Sequence, residues 1–487
     1  MGFFCWETLF VGATSVAIEV LATGLEMEAP FDIAADLDTP VSAYLKLRDL
    51  QPRFLLESVE GGERLARYSF LGFGDALEIR MDDNALFVDG KKEPRPKNQQ
   101  QYLDALRAAL SAAPRPGPTV EGLPFAGGLV GVSGYDVVRL FERLPQNTTP
   151  QSSVPDAAFV APASLLVFDH LTRRVALLHD GPEEDRKKLR EKVISRLRGP
   201  VPSGNGPTET SVAEASFTEA EFSQRVEACK EYIAAGDIYQ IVISVLFRGK
   251  SDVSPFEVYR ALRLLNPSPY MFFFEFGDLK VVGSSPEALV RLNGTTASLR
   301  PIAGTRPRGA STEEDVANEE ALLADPKEAA EHVMLVDLAR NDLGRVASAG
   351  SVHVDPYRAI ERYSHVMHIV SGVQGELSDQ YDQFDLFAAS FPAGTLVGAP
   401  KVRAMEIIEE MESVGRGLYA GTAGYFGLSG DMDQAITIRT LVFSGDEYSF
   451  QAGAGIVADS VPASEYREVL AKSAILRRAL EIAGEGL

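Results

Sequence analysis

The sequence predicts a large α+β protein rich in antiparallel sheet, and three observations carry that expectation. Helical and strand-like segments follow one another without the regular strand–helix alternation of a parallel sheet. Two strand-like runs, 165–168 and 175–178, lie at hairpin spacing, which points to antiparallel pairing. The composition, 45% hydrophobic and 24% charged over 487 residues, is that of an ordinary globular chain long enough to bury a core without staples. At about 150 residues per domain, that length suggests roughly two or three domains.

The elements are read in chain order. Residues 1–30 hold several acidic side chains and no Lys or Arg, the first being Lys46. A secretory signal needs a basic start, so none is read here. The apolar stretch at 10–25 is broken by Glu19 and falls short of a membrane span. The expectation is a poorly ordered extension, or an upstream start with Met27 as the internal alternative. Residues 31–198 read as one strand-rich region, with runs at 53–58, 76–80 and 86–89. Residues 165–168 and 175–178 form an expected hairpin across a polar DHLTRR turn, and a charged helix covers 185–198. Residues 199–216, dense in Gly, Pro, Ser and Thr, make the clearest linker.

Residues 217–487 open on a capping box: Thr218 and Glu221 are spaced so that each side chain can bond the other's free backbone N–H. Phe222, Val226, Cys229 and Ile233 then form one apolar helical stripe, ended by Gly236. Ser254-Pro255 should open a second helix with a cap and a first-turn proline. Further helices are expected from Asp325-Pro326 to about 341, from Ala399-Pro400, and from Ser464 toward 483. Strands are expected at 281–283, 435–443 and 448–452.

Charge and cysteine content exclude several functions. Sixty-nine acidic against 47 basic residues give a formal charge of −22, which repels duplex nucleic acid and anionic membranes. An anionic metabolite could still bind, through local cations or backbone donors. Two cysteines, Cys5 and Cys229, cannot build a disulfide framework or a zinc cluster; a reducing, cytoplasmic setting is the expectation.

Four features could carry chemistry. Glu328 with Glu331, and Glu465 with Glu468, lie three apart on two helices, so each pair shares a face and could offer oxygens to Mg²⁺. Solvated glutamates are common, but Glu331 shares its face with Leu335 and Leu338, and a carboxylate among leucines needs a partner or a metal. Glu328 could instead complete a cap after Asp325, so Glu331 and Glu468 carry more weight. Small-residue loops at 301–305 and 451–455 could let backbone N–H groups cradle an anion, or could be plain turns. The second formally reads G-x-G-x-x-A, yet no helix opens on it, which rejects a dinucleotide site. His365 and His368 lie three apart with no third ligand at hand; one general acid is the better reading, against a satisfied core histidine. Arg439 inside an apolar strand requires an anion, and a substrate carboxylate is the natural partner.

At this point long motifs become specific. PIAGTRPRG at 301–309, EHVMLVDLARNDLGRV at 331–346, RYSHVMHIVSGV at 362–373, GTLVGAPKVRAME at 394–406 and QAGAGIVADSVPASEYRE at 451–468 occur in one order. With them the chain resembles the chorismate-utilising enzymes, and among these the large subunits of anthranilate synthases, over nearly everything after about residue 31. The resemblance implies Mg²⁺ on Glu331 and Glu468, with Glu328 and Glu465 nearby, meeting the ring carboxylate of chorismate. It implies Arg439 and Tyr425 on the enolpyruvyl carboxylate, with Gly304, Thr305 and the backbone of Gly453, Ala454 and Gly455 completing the pocket. His368 would assist loss of the ring 4-hydroxyl as general acid, with Thr395 close to the ring. Ammonia would add at C2, and loss of pyruvate would then give anthranilate.

Relatives run other reactions from the same pocket. In 4-amino-4-deoxychorismate synthases a nucleophilic lysine usually stands where this chain has Ala303. In isochorismate and salicylate synthases a water-activating lysine stands where this chain has Gln240, which can orient ammonia but is a poor base. Both differences favour the anthranilate branch over its nearest rival, the aminodeoxychorismate branch. A non-catalytic tryptophan-binding subunit is the rival of another class. The resemblance also implies a tryptophan feedback site, with Glu57 and Ser58 at the polar end, Arg67 as a further contact, and Pro269, Tyr270 and Met271 completing it. Neither cysteine lies in a glutaminase motif, so a separate glutamine amidotransferase subunit supplying ammonia is implied as partner.

Overall fold

The computed structural model describes residues 30–58, 67–151, 153–202, 206, 208–362 and 366–487. Cys5, His365 and the expected N-terminal extension up to residue 29 lie outside them. Helix and strand are mixed as α+β, and 21 of the described strands join one antiparallel system. Its longest central pairing runs strand Gln240–Lys250 against Glu447–Ile456, from Ile241 opposite Ile456 to Lys250 opposite Glu447. A separate three-stranded sheet holds Ile302–Pro307, Val366–Val370 and Ala359–Arg362, closed by Leu322, Met367 and Ile369.

In the large sheet a block of strands from before the Gly- and Pro-rich seam is flanked on both sides by strands from after it. Pro52–Glu57 pairs with Tyr270–Phe276, and Gly128–Ser133 pairs with Thr422–Gly427. The seam itself adds Glu214–Ala215, opposite Arg248 and Phe247. It is therefore a break in composition, not in the sheet. The expected hairpin is present, with Leu165 opposite Leu178 in the longer strands Ala157–Asp169 and Arg174–His179.

Local signals act as their chemistry dictates. Helix Glu219–Ala235 has both halves of the Thr218/Glu221 box and ends on Gly236 at φ 82°. Phe222, Val226 and Cys229 are buried, while Ile233 is half-buried. Helix Pro255–Leu265 starts on its proline alone, because the Ser254 hydroxyl makes no cap bond. In helix Pro326–Gly344 the Asp325 carboxylate accepts from the N–H groups of Lys327 and Glu328. The C-terminal helix is Pro462–Glu485, two residues longer at its start than expected from Ser464, because Pro462 already supplies a helical φ. It packs on strand Glu447–Ile456 and on helices Glu219–Ala235 and Pro255–Leu265. Among the described residues no helix is long and apolar enough to cross a membrane.

Two expectations are corrected. Residues 435–443 are not one strand: Met432–Ile436 and Thr440–Ser444 are separated by a turn in which Arg439 takes φ 50°. Apolarity alone does not reveal that break, since the turn residues are Thr437, Ile438 and Arg439. Residues 451–455 are not a loop after a strand but part of the strand Glu447–Ile456 itself.

Candidate active site

A cavity of about 910 Å³ opens where the C-terminal helix, helix Pro326–Gly344, the small sheet and strands Gln240–Lys250 and Glu447–Ile456 meet. Helical spacing decides two of its walls. Lys327, Glu331 and Leu335 form one stripe, and Glu465, Glu468, Lys472 and Leu476 form another. Their carboxylates repel. Burial raises the Glu331 pKa above the usual range and the charges of Glu328 and Glu468 add to that, against a hydrogen bond with Gln240 and the charge of Lys327. Burial also raises Glu465, and Glu468 adds to it, while Ser460, Lys327 and Lys472 oppose.

Glu468 is drawn 2.7 Å from Lys472 Nζ. Glu328 does not line the cavity and turns to Arg306 at 3.5 Å. Among the described residues no three His, Cys, Asp or Glu side chains are gathered as a finished metal site. The chemistry of the set still fits a hard divalent cation: oxygen donors on two facing helices whose mutual repulsion a cation would relieve.

The cationic counterpart is Arg439. Its left-handed backbone, unfavourable for an arginine, comes from the turn between two strands. Among the described residues its guanidinium meets the Asn266 amide oxygen, at 3.4 Å, and pairs with no carboxylate. Burial lowers its pKa, partly offset by the charge of Glu287.

Glycines make the floor. A Cβ on Gly453 would lie 2.8 Å from the Tyr419 hydroxyl and 2.9 Å from the Ile243 carbonyl, and one on Gly455 would lie 2.9 Å from Gln240 Nε2. Only glycine leaves that space open to a ligand. Ala454 is fully buried and belongs to the core. Lys472 Nζ donates to the Gly453 carbonyl at 3.0 Å.

On the small sheet the strand bulges between Ala303 and Thr305, placing Gly304 at φ 66° beside His368. His368 Nδ1 lies 2.9 Å from the Gly304 carbonyl, which can only accept, so Nδ1 carries the hydrogen. Thr305 Oγ1 is 3.1 Å from the same nitrogen. Burial lowers the His368 pKa, with the Arg439 charge acting in the same direction against the Gly304 bond. His368 sits in the strand Val366–Val370, and His365 lies outside the described residues.

Sequence reasoning missed two residues. Glu287 lines the cavity and accepts from Thr395 Oγ1 at 3.0 Å; burial pushes its carboxyl up to about 7. A lone glutamate after a strand end has no spacing partner to betray it. Tyr419 also lines the cavity, where Tyr425 was expected. Tyr425 lies in the second core cluster, 4.7 Å from Phe125, and its hydroxyl donates to the Pro124 carbonyl at 3.2 Å. The parity of a strand, which decides the face, is not visible without its register.

The expected feedback residues are divided. Glu57 lies opposite Met271 and accepts from the Tyr259 hydroxyl at 2.6 Å and from Arg263 at 3.0 and 3.1 Å. Ser58 directly follows that strand. Arg67 is exposed, 2.9 Å from Asp169. Tyr270 donates to Asp433 at 3.0 Å and accepts from Arg291 at 2.6 Å, and Pro269 is in the cavity wall.

A mixed antiparallel fold closed round such a pocket has relatives. Residues 51–478 match the model of the chorismate binding enzymes, and the chain belongs to that family. Within it, the chain is 44% identical to anthranilate synthase component 1 of Aquifex aeolicus, over 93% of this chain and 94% of that one. It is 46% identical to anthranilate synthase component 1 of Thermus thermophilus, over 93% and 97%. Among solved structures, anthranilate synthase component I from Streptococcus pneumoniae TIGR4 superposes with a TM-score of 0.77 at 35% identity, over 91% of this chain and 99% of that one. The menaquinone-specific isochorismate synthase of Escherichia coli shares the fold, with a TM-score of 0.67 at 20% identity over 91% and 92%.

Proposed function

We propose that the protein catalyses the anthranilate synthase reaction, in which chorismate and ammonia give anthranilate, pyruvate and water. The observation that carries the reading is one cavity with two poles: glutamates on one side and Arg439, with no carboxylate partner among the described residues, on the other. Chorismate carries two carboxylates and needs both poles. Arg439, which lines the same cavity as Tyr419, takes the enolpyruvyl carboxylate. Glu331 and Glu468, with Glu465 beside them, would hold Mg²⁺, which when bound supplies the positive charge that the ring carboxylate requires.

The two departing groups need a proton and a base. Glu287, with its carboxyl at about 7 and its orientation set by Thr395, is protonated near neutrality and gives its proton to the leaving 4-hydroxyl as ammonia bonds to C2. His368 was the expected acid. Its Nδ1 hydrogen is committed to Gly304 and its ring is neutral, so its Nε2 lone pair serves better as an acceptor for the C2 proton, lost as pyruvate departs. Ala303 in the wall offers no nucleophile for the aminodeoxychorismate route, and Gln240 no base for water.

Ammonia would come from a separate glutamine amidotransferase subunit, and tryptophan would inhibit through the Glu57, Ser58 and Pro269–Met271 region, in the cytoplasm. The test combines purified chain, chorismate, Mg²⁺ and ammonium. Anthranilate fluorescence with equimolar pyruvate is expected. Aminodeoxychorismate without pyruvate would move the protein to the neighbouring branch, and no turnover by folded protein would leave a binding subunit. Tryptophan that leaves turnover unchanged would remove the feedback reading.

A further inference from the structure

Behind the floor of the catalytic cavity lies a second chamber of only about 20 Å³. Tyr419 and Gln451 belong to the walls of both spaces. A space of that volume holds one water-sized molecule, and ammonia is of that size.

Gln451 is 5% exposed, and its neighbours set the direction of its amide. Ser244 has one hydroxyl hydrogen and gives it to Glu412 Oε1 at 2.7 Å. Ser244 Oγ must therefore accept from Gln451, at 2.8 Å, which turns the amide NH₂ toward Ser244. Glu412 cannot reverse this arrangement, because Arg416 clamps its two oxygens at 2.7 and 3.0 Å and the Ser244 N–H adds a bond at 2.9 Å. Gln451 Oε1 is left as a buried acceptor with no donor among the described residues. Leaving such an oxygen unmatched is unfavourable, so the site favours a small donor.

The chamber also selects a charge state. Its one charged lining residue, Arg416, is paired with Glu412, and no carboxylate lines the chamber. A buried space that offers no free anion disfavours ammonium, which would lose its hydration uncompensated, and leaves neutral NH₃. When NH₃ donates an N–H to Gln451 Oε1, its lone pair stays free, and that pair must form the new C–N bond. The Gln240 amide is engaged with Glu331 instead.

We propose that this chamber is the ammonia site of the enzyme, with Gln451 holding neutral NH₃ through its amide oxygen at the edge of the chorismate cavity. The inference rests on the reaction proposed above and deepens it. Gln451→Leu keeps the size of the side chain and removes the acceptor. It should raise the KM for ammonium about tenfold, the loss of about 1.4 kcal/mol of binding, and move the KM for chorismate much less. If that variant does not fold, Val442→Ile adds a methylene to a chamber wall that the chorismate cavity does not share, and the same split is expected. Equal rises in both KM values, or an unmoved ammonium KM in a wild-type background that makes anthranilate, overturn this inference alone. Wild-type protein that makes no anthranilate from ammonium overturns the reaction and the inference with it.

Discussion

Replacing Glu287 by glutamine tests the acid of the proposed reaction through stability as well as rate. Burial lifts this carboxyl from 4.5 to about 7. The sign follows from the direction. Well below the unfolded value both states carry the proton, and Glu287 adds nothing to the pH dependence. Between the two values only the folded protein keeps it, so stability falls as pH rises, and above about 7 the whole penalty of an ionised, half-buried carboxylate is present. At about 1.4 kcal/mol per pH unit the penalty is at most about 3 kcal/mol, since solvent in the cavity screens part of it. Glutamine has the same shape, is neutral at every pH and still offers Thr395 an acceptor oxygen. The variant should match wild type in urea unfolding near about pH 5 and exceed it by about 2–3 kcal/mol near about pH 9. Turnover should move the other way, falling about 10²–10⁴-fold because the amide has no proton to give. Wild-type turnover should itself decline as pH rises through about 7. A stability gap of equal size at both pH values, or a wild-type rate that stays flat through that range, refutes the reasoning.

Other expectations are simpler. Glu468→Ala should abolish Mg²⁺-dependent turnover with an unchanged circular dichroism spectrum; full activity would sink the metal assignment. Gly455→Ala brings a Cβ to 2.9 Å from Gln240 Nε2, so it should displace Gln240 from Glu331 and lower kcat/KM for chorismate about tenfold, checked by steady-state kinetics. Glu412→Gln leaves the fully buried Arg416 without its anion and should destabilise by about 3–5 kcal/mol in urea; a loss below about 1 kcal/mol would mean the pair is not what holds that region.

What could be read from the sequence was what is local. The Thr218–Glu221 cap, the Gly236 stop and the hairpin at 165–178 depend on neighbours a few residues apart, and they form as expected. Glu331, Glu465 and Glu468 could be picked out because helical spacing groups them on their faces, whereas Glu328, chosen by the same spacing, turns to Arg306. Glu287 and Tyr419 were not, because each reaches the cavity only through long-range pairing, and a strand residue such as Tyr425 changes face with a one-residue change of register. Arg439 was singled out for the wrong local reason. Its place in the cavity wall comes from a turn that interrupts the apolar run, not from a position within a strand. The ammonia chamber depends on which end of one amide faces Ser244, a matter of hydrogen-bond direction that no residue pattern encodes.

The stitching of Pro52–Glu57 to Tyr270–Phe276, and of Gly128–Ser133 to Thr422–Gly427, also governs how the chain can be cut. A protease nick within residues 199–216 would open the covalent chain and leave the molecule whole, since both fragments stay laced through one sheet. Made separately, each fragment would present bare strand edges, prone to aggregate. Made together, they should find one another and rebuild the cavity, whose walls all come from the second fragment while the sheet behind them needs the first. The seam is thus a ready site for a split enzyme in which recovered fluorescence of product reports that two pieces of chain have met.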